Sequence, residues 1–165
     1  MRKLRTGEVL AALGAIALIV ILFADWFALE TGTGREGVST TGWASLGWLV
    51  VALLVLTVLA ALWLAVATVA RSVAEAVMAG VVTTTLAVVA LLVLLVRIAT
   101  QPDLGVGAPN DLVDVRFAAW VGVICTALIA VGGFIALRDE RVDAPESAFE
   151  PPEARPAPRA DEAPT

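Results

Sequence analysis

Histidine is absent from this 165-residue chain, and cysteine occurs once, as Cys125. A lone thiol excludes an intrachain disulfide and a zinc cluster of thiolates. Without imidazole there is no Ser-His-Asp chemistry, no histidine metal ligand and no histidine pH switch. Charge is scarce too: 16% of the residues are Asp, Glu, Lys or Arg, against about a quarter in soluble domains. The net charge of −5 is concentrated in residues 138–165, where eight acids face four arginines, so the rest of the chain stands at −1. No basic stripe with interleaved aromatics is present, which removes nucleic acid from the expected partners. Intramembrane proteolysis would need paired aspartates, a serine with a base, or a metal site inside an apolar run. None is there. "TGTGREG" lacks the strand-turn-helix setting that lets glycines cradle a phosphate. The expectation is a non-enzymatic protein with no metal and no other cofactor.

Apolar sequence is what the chain has in excess, at 59% hydrophobic residues. Four runs, at about 9–29, 43–70, 76–96 and 117–137, reach the roughly 20 residues that a helix needs to cross about 30 Å of hydrocarbon. Only Asp25 interrupts them. Helices without a polar face must be buried on all sides, and lipid provides that burial. The fold class expected is therefore all-α: an integral membrane four-helix bundle over 1–137, with the lipid bilayer as its first partner. Residues 138–165 carry six prolines in 28 residues and too little apolar surface to offset the entropy of ordering, so they read as a disordered acidic tail.

The start "MRKLRTGEV" looks like the basic region of a secretory signal. The apolar run behind it is longer than a signal core, however, and "ADWFALE" is too bulky for a cleavage site, so an uncleaved first span is expected. With the N-terminus inside, six basic residues flank the inner ends (Arg2, Lys3, Arg5, Arg71, Arg138, Arg141) against Arg35, Arg97 and Arg116 outside. That bias predicts a plasma-membrane protein with both termini cytoplasmic. Trp26, Trp43, Trp48 and Trp120 then fall at outer span ends, where indoles anchor at the membrane-water interface, while Trp63 lies toward the inner half.

Lipid is as apolar as leucine, so spans associate through close packing and buried hydrogen bonds. Ala118, Gly122, Thr126 and Ala130 recur every fourth residue of the fourth run, and Gly133 extends the row; Gly7, Ala11 and Ala15 form a shorter one on the first. Such a ridge serves internal packing, with self-association into a homo-oligomer as the alternative. Thr83, Thr84 and Thr85 are expected to bond back to their own helix carbonyls. At 1.5 Å per residue, Asp25 lies about 27 Å from an inner boundary at Gly7, and Arg97, Asp114 and Arg116 reach a similar height. These four charges either line an outer vestibule or cap helix ends and pair, Asp25 with Arg97 most simply, while the arginine stems snorkel to water.

"TGEVLAALGAIALIVILFADWF", the Gly/Thr-rich loop after it, "GWASLGW" and "GGFIALRDE" together resemble the layout of small four-span actinobacterial membrane proteins of unassigned function, a likeness that covers residues 1–140. In such proteins a proline commonly precedes the outer tryptophan; Asp25 stands there instead. The function expected is a structural or accessory subunit that contacts a membrane partner. The alternative is a small transporter or channel component that uses the outer charges.

Overall fold

The computed structural model describes residues 5–29, 38–70, 73–101 and 113–143. Its elements are α1 (Thr6–Ile21), β1 (Asp25–Leu29), β2 (Ser39–Thr41), α2 (Gly42–Ser45), α3 (Trp48–Ala70), α4 (Val73–Thr100), β3 (Val113–Val115) and α5 (Phe117–Asp143). Among the described residues three helices are long and apolar enough to cross a membrane, at Trp48–Val69, Ala74–Thr100 and Phe117–Asp139, and α1 is a shorter apolar helix. This is the architecture of a membrane protein.

The long helices are studded with large apolar side chains facing outward, such as Leu56, Leu92 and Ile124, while the interior interleaves alanines with larger side chains such as Leu18, Leu54, Leu94 and Ile129. Helix α1 packs on α5 and α3, α5 on α4, and α4 on α3, which closes a ring of four with α1 and α4 at opposite corners. The closest approach joins α1 to α5. A Cβ on Gly7 would lie 2.5 Å from the Ala136 nitrogen, one on Gly132 would lie 2.6 Å from the Ala11 nitrogen, and one on Gly14 would lie 2.9 Å from the Cys125 carbonyl oxygen. Backbones therefore touch directly, which only small residues permit. At the end holding both helix termini, the Arg5 guanidinium donates to the Asp139 carbonyl at 3.5 Å.

The ridge residues Ala118, Gly122, Thr126, Ala130 and Gly133 are all buried. They do not all meet α1, however. That helix lies along the adjacent row of Cys125, Ile129, Gly132 and Ala136, whereas Gly133 faces Thr84 of α4 and Gly122 receives a side chain from β1.

Four boundaries depart from the sequence expectation. The first run, expected to be helical to residue 29, stops at Ile21, and Asp25–Leu29 is a strand. There the Phe23 and Ala24 amides turn back onto the Val20 and Ile21 carbonyls at 3.2 and 3.1 Å. The second run is broken at Gly47, whose φ of 75° belongs to the left-handed region that glycine enters at little cost. The third helix overruns 76–96 at both ends. The fourth continues past residue 137 to Asp143. The disordered tail expected beyond it falls, from residue 144 on, outside the described residues, as does most of the Gly/Thr-rich loop.

Candidate functional site at the sheet end

Among the described residues three strands close the end of the bundle opposite the α1 N-terminus and the α5 C-terminus. Strand β1 is central, antiparallel to β2 on one side and to β3 on the other. Phe27 stands across from Thr40 and from Val115, and Ala28 across from Ser39 and from Asp114. Between Asp25 and Phe27 the β1–β2 register shifts, so Trp26 is the extra residue of a bulge. A bulge breaks the alternation of a strand and re-aims side chains. As a result Trp26, Phe27, Ala28 and Leu29 are buried in succession.

Trp26 is the keystone of this cap. Its Nε1–H donates to the Ile21 carbonyl at 2.8 Å, which covers a lone pair exposed where α1 ends. Its own carbonyl accepts the Arg116 amide at 2.8 Å. The ring lies over Gly122 of α5, and a Cβ on Gly42 of α2 would come within 2.9 Å of it. Trp26 thus differs from the interfacial anchor expected of it: it is fully buried in protein, because the chain leaves the helix and folds the indole back into the bundle. The other three indoles sit differently. Trp48 is 77% exposed and Trp120 49%. Trp43 is half-buried against Phe23, ring centroids 5.5 Å apart, with its Nε1 enclosed and lacking a partner among the described residues.

No protein family, curated protein or solved structure matches this chain. What the site does must be read from its own geometry.

The four charges expected at one height do reach the sheet end, but they do not gather into one cluster. The simple Asp25–Arg97 pair is not formed. Asp25 accepts the Ser39 hydroxyl at 2.8 Å across the β1–β2 ladder, whereas Arg97 Nη2 donates to the Ser45 carbonyl at 3.1 Å. The reason is azimuth. Height along a helix predicts level but not direction, and the turn after α1 carries Asp25 into the sheet while Arg97 reaches toward the C-terminal end of α2. There a cation meets carbonyls that the helix leaves unpaired.

Asp25 shares instead an open cleft of about 470 Å³ with Arg116, bounded by Ser39, Ala28, Phe117 and Ala118. Asp114 is exposed on β3. Arg97 lines a second groove of about 250 Å³ together with Leu46, Gly47, Trp48, Leu49 and Val50. Its Nε is buried and has no hydrogen-bond partner among the described residues.

Sequence reasoning missed Ser39, Gly42, Ser45 and Gly47, all inside or beside "STTGWASLGW". The two tryptophans flanked by glycines were the available signal; the role of each glycine depends on partners distant in sequence. Glu8 is fully buried at the other end of the bundle. One Glu8 oxygen accepts the Arg5 amide, as in half of a capping box, and Oε1 has no partner among the described residues. Of the threonine triplet, Thr84 bonds back to the Gly80 carbonyl at 2.8 Å, Thr85 is exposed, and Thr83 is buried with a hydroxyl that has no partner among the described residues.

Proposed function

We propose that the protein is a four-span plasma-membrane protein with both termini cytoplasmic, acting as a non-enzymatic structural or accessory subunit that contacts a membrane partner through its sheet end. The observation that carries this reading is the mounting of the sheet: Trp26 ties β1 to α1, α2 and α5 together, so the strands ride on the helix ends as one rigid piece. A rigid polar platform rimmed by exposed Phe23, Trp48 and Phe117 suits docking at the membrane surface. Helix α1 is counted as a span because it lies lengthwise along α5 from Cys125 to Ala136, although its 16 residues cover only about 24 Å. A short span is accommodated by local thinning of the bilayer. The partner is a different protein and not a second copy bound through the glycine ridge, whose faces are already occupied within the chain.

A cysteine reporter at Thr33, in a Cys125→Ala background, tests the orientation: labelling in intact cells is expected, and labelling only after permeabilisation would overturn it. A photo-cross-linker at Asp114, against a control at the outward-facing Leu92, tests docking. A discrete protein adduct from Asp114 alone is expected; lipid adducts alone would defeat the accessory reading. The Asp25–Arg116 cleft favours a second reading, a small transporter or channel component. That reading requires substrate- or ion-dependent protection of the cleft in proteoliposomes.

A further inference from the structure

The groove around Arg97 has the chemistry of a phospholipid site. Helix α3 opens at Gly47, and the Val51 amide is the first to find a backbone acceptor, the Gly47 carbonyl at 3.1 Å. The amides of Trp48, Leu49 and Val50 precede it and have no acceptor within the helix. No acid occupies that first turn, so the positive end of a 23-residue helix is uncompensated there. The same three residues line the groove into which Arg97 is set. Arg97 spends one Nη2 hydrogen on the Ser45 carbonyl and makes no ion pair with any described carboxylate. A Cβ placed on Gly47 would meet nothing within 4 Å, so the mouth of the groove is open.

Two independent sources of positive potential thus converge on one small groove whose remaining walls are Leu46, Leu49, Val50 and the exposed face of Trp48. An anion belongs beside the guanidinium and amides, and an aliphatic chain belongs on the walls. The groove also lies at the sheet-end termini of two membrane-length helices, Trp48–Val69 and Ala74–Thr100. That is the level at which phosphates stand in a bilayer. We propose that this groove binds one anionic phospholipid, its phosphate held by Arg97 and the α3 amide end and an acyl chain laid along Leu49 and Val50. Among the described residues no carboxylate lines the groove to receive a choline or ethanolamine cation, so a zwitterionic headgroup gains less there than one with net negative charge. The inference goes beyond the accessory role and needs only that α3 and α4 lie in a membrane.

The test uses the full chain in neutral detergent, titrated separately with phosphatidylglycerol, phosphatidylcholine and inorganic phosphate, with retained lipid counted by native mass spectrometry and the midpoint of thermal unfolding recorded. Phosphatidylglycerol is expected to be retained and to raise the midpoint, phosphatidylcholine to do so less effectively because Arg97 repels its choline cation, and inorganic phosphate to have no effect. Arg97→Gln should remove the preference. Leu49→Asp provides a second variant, because an acid in the first helical turn supports the helix itself while repelling a bound anion. Equal effects of both lipids, or a preference that survives in both variants, would overturn the proposal. An equal response to inorganic phosphate would overturn the lipid assignment. Flotation with vesicles separates these results from a failure of membrane embedding, since a chain that does not co-float has no bilayer-level site at all.

Discussion

The Trp26 indole donates its Nε1–H to the Ile21 carbonyl at 2.8 Å, across the turn where helix α1 ends and strand β1 begins. One side chain thereby closes a helix and, by filling the space above Gly122, fixes the strand to the bundle. Trp26→Phe keeps most of the ring volume but removes one of the two hydrogen bonds to that carbonyl, the Ala24 amide remaining, and is expected to cost about 0.5–1.5 kcal/mol. Trp26→Ala also opens a cavity and is expected to cost about 3–5 kcal/mol. Unfolding titrated with a denaturing detergent, followed by circular dichroism, reads both. Equal, negligible losses would show that the indole is not structural.

Glycines on the two faces of the bundle should respond oppositely to an added methyl. Gly7→Ala and Gly132→Ala push a Cβ against backbone atoms and are each expected to cost about 1–3 kcal/mol. At Gly80 the nearest atom to a new Cβ is 3.5 Å away. Gly80→Ala is therefore expected to be neutral or to stabilise by up to about 1 kcal/mol through helix propensity. The same detergent titration distinguishes them by sign.

Asp25 and Arg97 should behave as independent residues. With separate partners in Ser39 and Ser45, the effects of Asp25→Asn and Arg97→Ala are expected to add to within about 0.5 kcal/mol. The Asp25→Asn and Ser39→Ala pair should show measurable coupling. A double-mutant cycle for each pair decides the matter; coupling confined to the first would contradict the geometry.

Thr83 carries a buried hydroxyl without a partner among the described residues. Thr83→Val retains its shape and removes the unmet polar group, so a gain of about 1 kcal/mol is expected. Thr57, whose hydroxyl reaches the Leu53 carbonyl at 2.8 Å, is the control and should gain less from the same change. A loss at Thr83 would mean that its hydroxyl is engaged.

The helices and their burial by small residues were legible because they follow from local pattern: long apolar runs without a polar face, and small residues spaced by four. The strands were not. "ADWFALE" continues an apolar run, and nothing within those residues distinguishes the end of a span from a β-strand. The difference lies in partners 11 to 88 positions away, Ser39–Thr41 and Val113–Val115. The site was legible as a level and not as a set of contacts, since rise per residue places Asp25, Arg97 and Arg116 at one end but says nothing of which way each side chain turns.

Composition and periodicity by themselves determined that this chain forms long apolar helices with most of its charge at their ends, because an unpaired charge inside hydrocarbon costs too much and a helix satisfies its backbone internally. Only the tertiary structure decided that the first run gives up its last residues to a sheet, that Trp26 turns inward, and that Asp25 and Arg97 part company. Each of these depends on a hydrogen bond or a close contact between residues distant in the chain, and such contacts exist only once the helices have packed.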